Sequence, residues 1–156
     1  MLAYVFWHRP QGDADLASYE ESQRAFHDAL ELTSACFRLA ELPFSEASGG
    51  YEDWYLVEDW EALGNLNRDA VDSARRADHD RAALHAARSW GGVYSLQRGP
   101  ASIPEGARWL DRPRGTPTDQ FLASLAEATV WQRQMVLGPG PEFCAVSSPS
   151  VDREKI

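Results

Sequence analysis

The stretch LAYVFW, residues 2–7, decides how the rest of the chain is read. Successive side chains of a strand point to opposite faces of a sheet. Leu2, Tyr4, Phe6 and His8 therefore share one face, and Ala3, Val5 and Trp7 share the other. Both rows are largely apolar, so the run predicts a strand in a sheet buried on its two sides. Pro10 and Gly12 end it, and Asp13 or Asp15 can cap a helix directly afterwards.

Downstream, Leu16, Tyr19, Gln23, Phe26 and Leu30 recur at three-and-four spacing, which predicts an amphipathic helix within residues 15–32. Strand-like runs at 35–42 and 51–58 follow, joined by the small polar connector 45–50. A helical stretch over 60–88, with Asp72-Ser73 as a point of interruption, stops at Gly91-Gly92. A fourth strand occupies 92–97. Strand, helix, strand, strand, helix, strand is the split-βαβ order. The expectation is an α+β fold: a ferredoxin-like βαββαβ antiparallel sheet over residues 1–99, with helices on one face. Two helices cover one face only, so a second subunit or the C-terminal segment must bury the other.

Composition changes after Gly99-Pro100. A short strand at 108–110, a helix opened by Thr116-Pro117-Thr118-Asp119, and a hairpin of 130–137 with 142–146 across Gly138-Pro139-Gly140-Pro141 predict a C-terminal β-α-β-hairpin extension. It spans residues 100–146, packed on the same domain. Residues 147–156 read as a disordered tail.

The chain has 156 residues, a hydrophobic fraction of 44% and a net charge of -9. That acidity excludes an electrostatic grip on nucleic acid or an anionic membrane. The N-terminal apolar run is too short for a signal peptide, and no segment approaches a membrane span, so the expected location is the cytoplasm. Cys36 and Cys144 lack CxxC spacing and read as buried thiols.

The first strand ending in His8-Arg9-Pro10, the helix with Phe26-His27 and Leu30, and the closing Gly92-Val93-Tyr94 together resemble the dimeric α/β-barrel superfamily. Within it the layout is similar to EthD-like and antibiotic-biosynthesis-monooxygenase-like proteins over residues 2–97. EthD-like proteins tend to follow the helical histidine with Gly-Pro, where this chain has Asp28-Ala29. The resemblance implies a homodimer with two sheets packed face to face.

With the first strand central and antiparallel to the third and fourth, His8, Tyr51, Asp53, His85 and Trp90 fall near one rim of the sheet. His8 and Asp53 form a candidate catalytic pair, an imidazole base with a carboxylate that fixes its tautomer. Tyr51, His85 and Trp90 are candidate ligand-binding residues, the aromatics as walls for a planar molecule. The competing reading is a strand-end histidine bonded to backbone beside a solvated aspartate. His79 and His85, six apart on one helix, point about 120° from each other and cannot share an ion. No motif implies a metal or a cofactor. Six tryptophans suit core and dimer contacts, with haem binding a weaker alternative. Two functions remain in play: a cofactor-independent oxygenase-like enzyme binding a small apolar or aromatic ligand between sheet and helices, and a non-catalytic dimeric carrier or structural protein.

Overall fold

A computed structural model describes the chain except residues 46, 47, 73–75, 138, 150 and 151. Its elements in order are β1 (Leu2–Pro10), α1 (Leu16–Asp28), β2 (Ser34–Glu41), β3 (Ser48–Val57), α2 (Trp60–Asp72), α3 (Arg76–Ala83) and β4 (Ala86–Arg98). Then come β5 (Gly106–Leu110), α4 (Thr118–Ser124), β6 (Val130–Leu137), β7 (Phe143–Ser147) and β8 (Arg153–Lys155). Parts of the 45–50 connector, of the Asp72-Ser73 break, of the 138–141 turn and of the tail lie outside the described residues.

All eight strands belong to one antiparallel sheet, ordered β5-β7-β6-β4-β1-β3-β2-β8. This overturns the expected ferredoxin-like sheet. Here β6 pairs with the far side of β4, and β8 with the far side of β2, so neither is an edge. Residues beyond 99 are therefore part of the same sheet rather than an appendage on it. The expected disordered tail is also corrected, because Arg153–Lys155 pairs with Phe37, Arg38 and Leu39. The helix expected through residue 88 ends at Ala83. Ala86 and Arg88 pair instead with Pro10 and Arg9, so the length of β1 recruits its partner into strand and overrides the helical pattern.

The sheet curls into a nearly closed barrel. In a flat sheet β5 would lie four strand spacings, about 19 Å, from β1. Instead the Trp109 ring of β5 sits 5.0 Å from Trp7 of β1 and 5.7 Å from Trp54 of β3. The two ends also meet, since Arg153 donates to the carbonyl of Pro104 at 3.0 Å. The row Ala3, Val5 and Trp7 thus faces an interior shared with Ala35, Phe37, Leu39, Trp54, Leu56, Tyr94, Trp131 and Cys144. Burial in cis removes one ground for a second subunit, the uncovered face, because the chain covers that face itself.

Within this interior lies one carboxylate, Glu52, with no exposed surface. Its Oε2 accepts the indole N–H of Trp7 and of Trp109, each at 2.8 Å, and its Oε1 accepts that of Trp54 at 2.6 Å. The Arg153 guanidinium pairs with Oε1 at 2.8 Å and lies 3.6 Å above the Phe37 ring. Burial of a charge this deep is tolerable only with such partners.

The outer face carries the other row, Leu2, Tyr4, Phe6 and His8, under the helices. Asp15 caps α1, accepting from the Ala17 amide, and the helix lays Tyr19, Glu20, Gln23 and Phe26 on the sheet. Gln23 donates to the carbonyl of Ala82 at the end of α3, which ties the two helices together. Phe121 of α4 packs on Phe143, covering the β6–β7 end. Among the described residues no helix is long and apolar enough to cross a membrane.

Where β4 ends, Gly99 has φ +86°, and a Cβ there would meet the Ala128 carbonyl oxygen at 2.4 Å. Gly99→Ala is expected to lower stability by about 1–3 kcal/mol, combining a left-handed backbone with a backbone clash. Urea denaturation measures it, and a loss below about 0.5 kcal/mol, the range of an indifferent surface change, would contradict this reading.

Candidate functional site

The antiparallel register of β1 and β3 sets Phe6 opposite Asp53 and His8 opposite Tyr51. His8 and Asp53 are thus diagonal neighbours on the outer face, within reach of each other's side chains. His8 Nε2 lies 3.1 Å from Asp53 Oδ2. Helix α1 crosses above them. Its Tyr19 hydroxyl meets His8 Nδ1 at 2.5 Å, and one end brings His27 Nε2 to 3.4 Å from Asp53 Oδ1. Each oxygen of Asp53 therefore faces a separate imidazole. Tyr55, on the same face of β3, donates to Oδ2 at 3.1 Å.

Aromatic rings hold this cluster in place. His8 stacks on Tyr51 at 5.4 Å, and His27 on Tyr55 at 5.0 Å with planes 8° apart. Tyr51 itself is anchored elsewhere, its hydroxyl donating to Glu20 Oε1 at 3.0 Å, which also pairs with Arg38. Cys36, from β2, completes the group: its sulfur and ligand atoms of His8 and Asp53 all lie within 4.8 Å of one another. His8 is 2% exposed and Asp53 3%.

Burial by itself would raise the Asp53 carboxyl. The charge of His8 and hydrogen bonds from His27 and His8 outweigh it and hold the group well below its ordinary range. The groups around it move the other way. Burial first, and then the Asp53 charge, push the Tyr19, Tyr55 and Cys36 hydroxyls and thiol up. Tyr4 is raised to about 12 by the same two causes. The cluster is one ionised carboxylate inside a ring of groups held in their protonated forms.

A cavity of about 200 Å³ opens beside it, and His27 and Cys36 form its inner wall. Arg24, Asp28, Ser34 and Lys155 supply polar groups around it. The volume is below the usual range for drug-sized ligands, so the occupant it suits is small.

Of the residues expected from sequence, His8 and Asp53 meet, and Tyr51 stands beside them as a stacking partner. His85 does not join them; it lies exposed in the turn before β4, with its carbonyl accepting from the Gln11 amide. Trp90 sits opposite Trp7 in the register and packs with Phe44 on the barrel side, the other face from Asp53. The tryptophans do not line the cavity, and Trp7, Trp54 and Trp131 fill the barrel. Sequence reasoning placed His27 only on the first helix, outside the candidate site, and gave Cys36 no role beyond burial. The strand alternation that puts Tyr55 beside Asp53 was readable, whereas the approach of His27 depends on how α1 crosses the sheet. His79 packs edge-on against Phe26 and lies 3.3 Å from Asp80, away from the cluster. No family model, curated protein or solved structure matches this chain, so the reading of the site rests on its geometry.

Proposed function

We propose that the protein binds a small polar molecule in the cavity beside β2 and α1, and that the Asp53-linked imidazoles handle a proton on it. The observation that carries this reading is His27, which lines the cavity while its Nε2 faces Asp53 Oδ1 at 3.4 Å. A carboxylate behind an imidazole fixes its tautomer and stabilises the proton it takes up. His27 Nδ1 is buried and has no hydrogen-bond partner among the described residues, so it is the atom left to meet a ligand. His8, on the other oxygen, keeps Asp53 oriented. Arg24 and Lys155 at the cavity favour a ligand with an anionic or carbonyl group. This reading departs from the small apolar or aromatic ligand expected from sequence, because the polar groups around the cavity favour a polar occupant.

The test is nitrogen NMR of the four histidines during a screen of small carboxylates, amides and heteroaromatics. Ligands are expected to shift the His27 ring and leave His85 unmoved. His27→Gln should weaken those ligands roughly 10-fold or more, the worth of one hydrogen bond to a charged group. If the hits shift only His79 or His85, or none shifts His27, the proposal is overturned.

A further inference from the structure

We infer that His8 Nε2, Cys36 Sγ and one carboxylate oxygen of Asp53 form a binding site for a divalent transition-metal ion of the zinc class. The inference adds an ion to the site proposed above, but it is tested by metal binding alone, whereas the ligand reading is tested at His27.

Three observations converge on it. The donors come from three different strands, β1, β2 and β3, yet all lie within 4.8 Å of one another and all are buried. Tetrahedral binding at zinc bond lengths needs donors about 3.3–3.8 Å apart, so small side-chain adjustments suffice, with the His8–Asp53 pair, now at 3.1 Å, opening slightly. Next, polar atoms in the cluster are left over. Among the described residues His8 Nε2 and Asp53 Oδ1 have no well-aligned hydrogen-bond partner, although His8 Nε2 lies 3.1 Å from Asp53 Oδ2 and Asp53 Oδ1 lies 3.4 Å from His27 Nε2. Buried polar atoms of that kind are rare, and an ion between them would satisfy both.

The third observation is the outer support. Tyr19 holds His8 through Nδ1 at 2.5 Å, leaving Nε2 directed at the cluster, and Tyr55 holds Asp53 through Oδ2 at 3.1 Å. Ligating imidazoles and carboxylates are generally steadied in this way by a second hydrogen bond. The donor set then selects the ion. A sulfur, an imidazole nitrogen and a carboxylate suit zinc, iron(II) or cobalt(II), whereas magnesium and calcium take oxygen. Three protein donors leave a fourth position open, the arrangement of a catalytic rather than a purely structural ion. Cys36 and His27 together line the cavity, so that position lies close to where a ligand would enter.

The experiment is a titration of chelator-treated protein with cobalt(II), followed by zinc. One cobalt per chain is expected, with a near-ultraviolet thiolate-to-cobalt charge-transfer band that zinc abolishes. Cys36→Ser should lose the band, and Cys144→Ser, altered on the barrel side, should keep it. Tyr19→Phe should keep the band but bind about 10- to 100-fold more weakly, the usual effect of losing a hydrogen bond to a ligating imidazole. Cadmium NMR of the unaltered protein reads the donors without any variant: a shift in the range of mixed sulfur, nitrogen and oxygen ligation supports the site. An all-oxygen shift, the lack of a charge-transfer band, or a band that survives Cys36→Ser overturns it.

Discussion

Glu52→Ala is expected to remove about 3–5 kcal/mol of stability, the cost of breaking a buried charge pair by deleting one partner. The substitution strips the acceptor from three indole N–H groups and the counter-charge from Arg153 at one stroke. Each buried donor left without a partner costs about 1–3 kcal/mol. Against a total of about 5–15 kcal/mol for a domain, that loss leaves the barrel marginal or unfolded. Arg153→Met should cost less, because the three indoles still satisfy the carboxylate. Urea denaturation followed by tryptophan fluorescence measures both, and a Glu52→Ala loss under about 1 kcal/mol, no more than a single hydrogen bond, would show that the indoles find other acceptors.

Acid is expected to attack the other face of the sheet. Asp53 has a folded-state pKa well below its ordinary 3.8, since His8 and His27 favour the ionised form more than burial opposes it. A depressed carboxyl binds fewer protons folded than unfolded, so stability rises with pH where the unfolded chain titrates. The contribution is fully present above about pH 4 and is lost as the pH falls toward the folded value. Chelator-treated protein should therefore lose stability steeply below pH 4, and Asp53→Asn should be less stable at neutral pH but flatter in acid. Chemical denaturation across pH 2–7 checks this. Parallel acid limbs for the two proteins would mean that Asp53 is not the group responsible.

Much of this was legible in the chain, for reasons that differ by residue. The two-sided apolar pattern of LAYVFW correctly required two covers for β1. His8 and Asp53 could be brought together from strand order alone, because their faces follow from alternation and their neighbourhood from register. Glu52, Trp54 and Leu56 likewise fell on one row. Local pattern carries nothing about which distant strand will pair next, so residues 106–155 read as an extension and a tail. They are in fact half the strands of the sheet. The same limit hid the partners of Glu52, since Trp7, Trp54 and Trp109 converge only once the sheet curls. Trp90 failed for a simpler reason: nearness to a rim does not say which face a side chain takes, and its register with Trp7 puts it on the barrel side. His27 joined the site through the crossing of α1 over the sheet, which side-chain periodicity does not specify, and Cys36 joined it through register, opposite Asp53 on the neighbouring strand.

The lock between β2 and β8 joins residues 116 positions apart, as in the pairing of Arg38 with Glu154. Closing so long a loop adds only a logarithmic entropic penalty, so the finished barrel gives up little equilibrium stability for it. Speed is another matter. A topology whose neighbours are recruited from remote parts of the polypeptide must search before it is rewarded, which places its assembly in the slow, millisecond-to-second regime of non-local β proteins. Until that search ends, the outer edge of β2 stands open as a template for another molecule, and intermolecular pairing competes with completion.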